Sequence, residues 1–479
     1  MNIDKRDLTL LCDFYELTMA RGYFNSEMKD KIAYFDVFFR KVPDGGGYAI
    51  CAGLEQIIEY VKSIKFKKSD IEYLRKKGIF DEAFLEYLST FKFTGDIWAV
   101  PEGTVIFPGE PIMTVRANAM EAQFIETFIL LIFNHQCLVA TKASRIVRAA
   151  QGRPVSEFGS RRAHGPDAAI YGARAAYIGG CSSTACTVAD RMFGVLAGGT
   201  MAHSWVQMFG DEFEAFKTYC ELYPNNPTLL VDTYNVIKSG VPNAIKAFKE
   251  VLTEEQRKHC AIRLDSGDIT YLTKKIRKML DAAGLPNCRI TVSNSLDEYI
   301  IRDILIQGAQ VDAFGVGERM ITSKSEPVFG CVYKLCAVED NGKIEPRIKI
   351  SENIAKITNP DFKKLYRFYS KDTGKAEADL ITIYDEVIDP SQPYELFDPE
   401  HVWKKKIMEN YELREMLVPI FVKGKLVYKS PSVEEIRTNC KKELESMWDE
   451  VLRFENPHNY YVDLSQKLWD EKHELLKKR

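Results

Sequence analysis

The sequence predicts an α/β protein built around a parallel, closed or nearly closed barrel, and three observations carry that expectation. Between Pro154 and about Met320 six short strand-like runs occur in order, PVSEF, GVLAGG, TLLVD, CAIRLD, RITVSN and VDAFGVG, mostly separated by amphipathic helical stretches. Such alternation favours a parallel sheet, and six or more units favour closure; an open doubly wound sheet is the alternative. Each run also ends in polar or glycine chemistry: Glu157 to Arg161, Thr200 and His203, Asp232 to Tyr234, Arg263 with Asp265 and Ser266, Ser293 and Asn294, and Gly315 with Gly317. Carboxyl ends of parallel barrel strands open onto one mouth, so these residues are expected to converge there. Finally, 479 residues are more than one core usually organises, and two or three domains are expected.

Along the first part of the chain, apolar runs such as AYFDVFFRKV and TGDIWAVPEGTVIF mix with helical stretches. VPDGGGYAICAGLEQIIEYV reads as a glycine-rich turn feeding a helix, because it lacks the spaced glycines or the lysine of a phosphate loop. From Met120, EAQFIETFILLIFNHQCLVATKASRIVRAA is apolar enough to be a buried organising helix. Within the barrel the helical stretches are DAAIYGARAAYI, NAIKAFKEVL, YLTKKIRKMLDAAG and LDEYIIRDILIQG. After Gly330, CVYKLCAVE is a strand candidate, and in the charged C-terminal region SVEEIRTNCKKELESMWDEVLRF is an amphipathic helix with a solvated face.

A formal charge of −3, with 46% hydrophobic and 28% charged residues, fits a globular protein and gives no reason to expect a nucleic-acid partner. Charges of both signs interrupt the apolar residues of MNIDKRDLTLLCDFYEL, and no later stretch approaches about 18 uncharged apolar residues, so a soluble, cytoplasmic protein without a membrane partner is expected. The eleven cysteines are scattered; the close pairs Cys181/Cys186 and Cys331/Cys336 have no histidine at ligand spacing, and buried, reduced thiols are expected.

At the predicted mouth, Arg161, Arg162 and Arg263 are able to fix a carboxylate or phosphates, and Asp232, Asp265 and Asp268 to hold sugar hydroxyls or Mg²⁺. Any one of these charges is more simply a helix cap or surface ion pair; the set is not. AFGVGERM puts glycines after a late strand, where backbone N–H groups take up phosphate. Together these groups suit an anionic, phosphorylated sugar and a small second reactant. An aldolase or isomerase would want a lysine or carboxylate base at a strand end, and no lysine stands there.

EFGSRRAHGPDAA, GGTMAHSWVQMF, LLVDTYNV, IRLDSGD, VSNSLDE, GVG and CVYKL, in that order, closely resemble nicotinate phosphoribosyltransferases. So do LTLLCDFYELTMARGYF, RKVPDGGGYAICAGLE, KITNP, VKGKLVYKSPS and ENPHNYYVDLS, which extends the resemblance over nearly the whole chain. The resemblance implies an irregular TIM-like α/β barrel plus a second α/β domain formed by N-terminal and C-terminal segments. The expected ranges are 1–140 for the N-terminal domain, 141–350 for the barrel and 351–479 for an extension packing with the N-terminal domain. It implies transfer of phosphoribosyl from phosphoribosyl pyrophosphate to nicotinate, giving nicotinate mononucleotide and pyrophosphate in NAD salvage, coupled to ATP as co-substrate and requiring Mg²⁺. The alternatives are the same transfer to nicotinamide, or a non-catalytic ligand-binding protein on the same fold.

By the same resemblance His203 is the residue phosphorylated by ATP, and an imidazole nitrogen is a competent nucleophile for that transfer. Tyr15 matches a tyrosine that stacks on the pyridine ring from a neighbouring subunit, implying a homodimer with shared sites. Phe158 resembles the ring's other stacking partner in related nicotinamide enzymes. Thr200 and Arg263 match nicotinate contacts, with Arg161 the other candidate for the ring's carboxylate or for a phosphate. Asp232, Asp265, Ser293, Asn294, Gly315 and Gly317 fall where the family holds the phosphoribosyl moiety. Two positions depart from the family pattern: Glu318 stands where threonine lies beside the sugar phosphate, and Asn235 replaces an aspartate. A carboxylate at 318 would repel phosphate unless it turned away or paired with Arg319.

Overall fold

The computed structural model describes residues 6–353 and 356–478 and divides them into two compact units. One unit comprises residues 139–327 with 432–437; the other comprises the N-terminal 138 residues with 328–431 and 438–479.

The first of these is the irregular, TIM-like α/β barrel. Its six parallel strands run, in spatial order, Ser183–Thr184, Val155–Glu157, Ala313–Val316, Arg289–Ser293, Ala261–Leu264 and Thr228–Leu230. In this order the first long strand and the last are neighbours, with Phe314 facing Val155 in register. A sheet in which chain start and chain end pair while every other step is sequential is a ring with one break, not a doubly wound sheet. The break falls between Ser183–Thr184 and Thr228–Leu230, so hydrogen bonds do not close the ring.

GVLAGG, expected as a full strand, accounts for that gap. Only a single parallel bridge, Ala197 to Thr184, forms there. Gly194 adopts a left-handed φ of 71° as the cap of Thr187–Phe193, and Gly198 and Gly199 offer no side chains to pack, so a ladder is not sustained. The remaining strands are short apolar runs sealed on both sides: Val155, Leu229, Ile262, Leu264, Ile290, Val292, Phe314 and Val316 are all essentially inaccessible. Two of the helices between them start at aspartate caps. Asp268 accepts from the Tyr271 amide ahead of Ile269–Ala282, and Asp297 from those of Tyr299 and Ile300 ahead of Glu298–Ile306.

The other unit is built on a seven-stranded sheet ordered Lys343–Pro346, Val332–Asp340, Ile32–Phe38, Met113–Asn118, Asp96–Ala99, Val418–Val422 and Lys425–Leu426. Val332–Asp340 pairs antiparallel with Ile32–Phe38 over its whole length, Ile32 opposite Glu339 through Phe38 opposite Val332. The expected end of the barrel at residue 350 is therefore corrected to 327: CVYKLCAVE is a strand, but it completes the N-terminal sheet. A four-stranded sheet, Tyr411–Glu415, Lys363–Ser370, Ala376–Ile383 and Val462–Leu464, belongs to the same unit. Its apolar residues, such as Leu365 and Ile381, share one core with Phe35, Phe84 and Phe124.

The organising helix is divided at Ile125 into Ala119–Phe124 and Glu126–Ala149. By length and composition alone Ala119–Ala149 would cross a membrane, but 67% of its most apolar window is buried inside the protein. All eleven cysteines are free, and all but Cys12 are buried.

Candidate functional site

A cavity of about 560 Å³ opens at the carboxyl ends of the barrel strands. Its wall includes Phe158, Arg161, Thr200, His203, Arg263, Asp265, Ser293, Asn294, Gly315, Gly317 and Glu318, eleven positions singled out from the sequence. They come from loops up to 160 residues apart in the chain, and parallel strand direction is what brings them to one mouth.

Arg263, near the end of Ala261–Leu264, is the centre of the arrangement. Its Nε donates to Ser293 Oγ at 2.8 Å, Nη1 to Thr200 Oγ1 at 3.0 Å and Nη2 to Asp265 Oδ1 at 3.1 Å. The guanidinium carbon lies 5.6 Å from the centre of the Phe158 ring. Three bonds and an aromatic face fix the plane of a group that has five N–H donors, so the rest can serve a ligand without a reorganisation cost. Gly315 makes the aromatic position possible: a Cβ there would stand 2.5 Å from Phe158 Cδ2. This glycine's first role is thus to admit a ring.

Asp265 is bound on several sides. Besides Arg263, Oδ1 accepts from the Ser293 hydroxyl, Oδ2 lies 3.9 Å from His203 Nε2, and its backbone N–H donates to Asp232 Oδ2 at 3.0 Å. Asp232 stands behind this layer, 9% exposed and outside the cavity wall. Its Oδ2 also accepts from the Ser266 hydroxyl at 2.6 Å, while Oδ1 is buried without a hydrogen-bond partner among the described residues. A buried carboxylate oxygen left over is expensive in a resting protein, which marks it as available to a cation.

His203 opens the short helix His203–Phe209, half exposed, with Nδ1 3.1 Å from Thr233 Oγ1. Thr233 lies inside the strand end Asp232 to Tyr234 noted in the sequence, but its contact with His203, 30 residues away, is set by the fold. Asn294 has a φ of 116°, and its side chain accepts from the Ser295 amide at 2.7 Å. Asparagine tolerates such backbone better than most residues, and strain of this kind concentrates at ligand sites.

The loop after Val155–Glu157 carries Phe158 and the two mouth arginines. Glu157 beneath it is fully buried: it accepts from the Thr184 hydroxyl at 2.7 Å and from the Gly159 amide. Burial raises its carboxyl above the usual range against those bonds. Arg161 and Arg162 then lie exposed on the turn Ser160–Arg162, in the cavity wall. The two candidate arginines for an anionic ring are thereby separated by environment, Arg263 embedded and Arg161 at the rim.

Other expectations are redirected. Asp268 caps the helix Ile269–Ala282 and lies outside the cavity wall. Asn235 caps the turn Val236–Gly240 by accepting from the Lys238 amide at 2.8 Å. Glu318 does not pair with Arg319, which goes to Asp297; its partner is Lys324 at 3.2 Å. Tyr15 belongs to the other unit, on Phe14–Phe24, where it is 44% exposed, and burial with the charges of Glu126 and Glu16 raises its phenol above the usual range. Ala185 and Leu230 in the wall were missed: the first follows a two-residue strand that has no sequence signal, and the second is an apolar side chain like any core residue.

Residues 10–134 match the nicotinate phosphoribosyltransferase N-terminal domain, 139–328 the quinolinate phosphoribosyl transferase C-terminal domain, and 362–472 the nicotinate phosphoribosyltransferase C-terminal domain. A nicotinate phosphoribosyltransferase of Bacillus subtilis is 42% identical, over 97% of this chain and 94% of that protein. One from Caenorhabditis elegans is 32% identical, over 97% and 93%. The crystal structure of human nicotinic acid phosphoribosyltransferase superposes with a TM-score of 0.84 at 26% identity, covering 97% of this chain and all of that one. With full-length relatives and the matched domains in chain order, the chain belongs to the nicotinate phosphoribosyltransferase family.

Proposed function

We propose that this cavity transfers the phosphoribosyl group of phosphoribosyl pyrophosphate to nicotinate, releasing nicotinate mononucleotide and pyrophosphate in NAD salvage. The observation that carries the reading is the Arg263 guanidinium, held by Thr200, Ser293 and Asp265 beside the Phe158 ring: a fixed cation next to an aromatic face suits a flat pyridine bearing a carboxylate.

In the reaction the pyridine nitrogen lone pair forms the bond to the anomeric carbon as the carbon–oxygen bond to pyrophosphate breaks, and the leaving group takes that electron pair. The nitrogen is already nucleophilic and needs no base. Positive charge develops on the sugar, which the carboxylates of Asp265 and Asp232 stabilise, while the rim arginines Arg161 and Arg162 attract the phosphates. Ser293 and Asn294, with the glycines Gly315 and Gly317, form the wall on the phosphoribosyl side. Mg²⁺ characteristically uses one or two carboxylates together with substrate phosphates, and the partnerless Asp232 Oδ1 with Asp265 is a donor set of that kind. When bound, it would neutralise the departing pyrophosphate.

His203 is the ATP-phosphorylated residue in this reading, with Thr233 steadying its ring. Tyr15 stacks on the pyridine of a second copy's site, so the working form is a homodimer in the cytoplasm.

The test is mononucleotide formation from phosphoribosyl pyrophosphate with nicotinate and with nicotinamide, each with and without MgATP, for the wild type and His203→Ala. Nicotinate-selective product, stimulated by ATP in the wild type only, is expected. Full ATP stimulation of His203→Ala would remove the role given to that histidine, and equal use of nicotinamide would remove the one given to Arg263.

A further inference from the structure

Two carboxylates line the cavity, Asp265 and Glu318. The first is tied to Arg263 and Ser293. Glu318, directly after Gly317 at the end of Ala313–Val316, has a different setting: Ser295 Oγ approaches at 3.5 Å, and the cation that meets it, Lys324 at 3.2 Å, comes from outside the wall. Lys324 sits in the turn after the Glu318–Ile321 helix, where its amide donates to Arg319 O. Arg319 is engaged by Asp297 and does not compete for Glu318. The hydrogen bond and charge of Lys324, followed by the charges of Arg162 and Arg319, hold the Glu318 carboxyl below the usual range.

The wall beside Gly315 and Gly317 therefore carries a full negative charge at the end of the cavity assigned above to the phosphoribosyl group. An unneutralised carboxylate there opposes an incoming phosphate. The Lys324 side chain is 61% exposed, so the pair adds little to stability. A contact worth little to the fold but standing at a charged cavity wall has its consequence in the field that a ligand meets.

We propose that Lys324 is a positioning residue for phosphoribosyl pyrophosphate that acts through Glu318: by pairing with this carboxylate it keeps the phosphoribosyl end of the cavity from repelling the substrate. The proposal rests on the functional reading of the cavity given above.

The test compares wild type, K324M, E318Q and K324M/E318Q as full-length proteins. Lys324→Met raises KM for phosphoribosyl pyrophosphate about five- to tenfold, the size of one unmasked charge near a phosphate, with a smaller change in KM for nicotinate and in kcat. The rise shrinks as salt is added, because screening acts on a field and not on a packing defect. Glu318→Gln lowers KM for phosphoribosyl pyrophosphate, and the double variant returns to within about twofold of wild type, since the charge that Lys324 masked is gone. An unchanged KM in K324M, or a double variant as weak as K324M, overturns the proposal; the latter would make Lys324 a direct ligand or a structural prop. Should the wild type form no mononucleotide, the functional reading fails by itself, and calorimetric titration of the four proteins with phosphoribosyl pyrophosphate gives the same order of affinities if the proposal is right. Absence of binding to the wild type overturns both.

Discussion

Two arginine–carboxylate clusters, one in each unit, use the same chemistry to opposite ends. In the unit containing the N-terminus, Arg367 is completely buried, donating to Asp379 at 2.6 and 2.7 Å, to Glu443 at 3.2 Å and to the carbonyl of Val105 at 2.9 Å. Tyr460 donates a further bond to Asp379 at 2.9 Å, and its ring stacks on Phe107 at 3.9 Å. In the barrel, Arg263 also reaches three partners, but its side chain is 15% exposed, that of Asp265 29%, and both line a cavity. The Arg367 cluster spends its hydrogen-bonding capacity inside the protein and so holds strands and a C-terminal segment in one arrangement. The Arg263 cluster is fixed in position yet keeps capacity facing outward. Whether an ion-pair network is structural or a binding site is decided by where its remaining donors point.

The contrast extends to protonation. Around Arg367, burial together with the Asp379 charge drives Glu110 well above the usual carboxyl range, whereas for Asp379 burial is opposed and outweighed by the Arg367 charge together with its hydrogen bonds, so that its carboxyl is lowered. The two carboxyls are thus pushed in opposite directions, Glu110 towards its neutral form and Asp379 towards its charged form.

The largest expected effect comes from breaking the buried cluster. Arg367→Met leaves Asp379 and Glu443 without their shared cation and should cost about 3–5 kcal/mol, read as a lowered midpoint in chemical denaturation. A midpoint equal to wild type would mean that water or Glu110 rearrangement replaces the arginine. Next in size, Arg263→Ala should reduce kcat/KM with nicotinate about 100- to 1000-fold, by analogy with loss of one preorganised donor, while the melting temperature hardly moves. If Arg263→Ala melts as low as Arg367→Met, the division between the two clusters is wrong.

The smallest effect separates burial with a cation from burial without one. Glu16 is fully buried and accepts a 3.1 Å bond from the Thr127 amide, but burial and neighbouring Glu126 outweigh its bonds and push its pKa up to about 7. A carboxyl raised in the folded state binds more protons folded than unfolded, so its contribution to stability is full at pH 4 and is lost as pH rises towards 7. For Glu16 that loss is at most about 3 kcal/mol. Glu16→Gln should therefore flatten the fall in melting temperature between pH 5 and 8; an unchanged slope would assign that fall to other groups.

Much of the barrel was legible in the sequence because parallel strands buried on both faces are written as continuous apolar runs, and their polar ends stand out against them. CAIRLD and RITVSN each gave a strand and the site residues at its end. GVLAGG failed for a local reason: its composition is apolar, but three glycines cannot sustain a ladder. CVYKLCAVE was a strand in the wrong sheet, since a period-two pattern does not say which edge it will join. Lys324, and the pairing of Thr233 with His203, were not legible, because each matters only through a partner 6 or 30 residues away that the fold brings within hydrogen-bond reach.

By itself the sequence determined the alternation of strand and helix and which polar residues gather at strand ends, because those depend on periodicity and local backbone chemistry. Tertiary structure alone decided that the ring stays open between Ser183–Thr184 and Thr228–Leu230, that Gly315 makes room for Phe158, and that Glu318 meets Lys324 instead of its neighbour Arg319. Those outcomes depend on distances between segments far apart in the chain or turned by a few degrees of backbone, and such distances exist only once the whole barrel has packed.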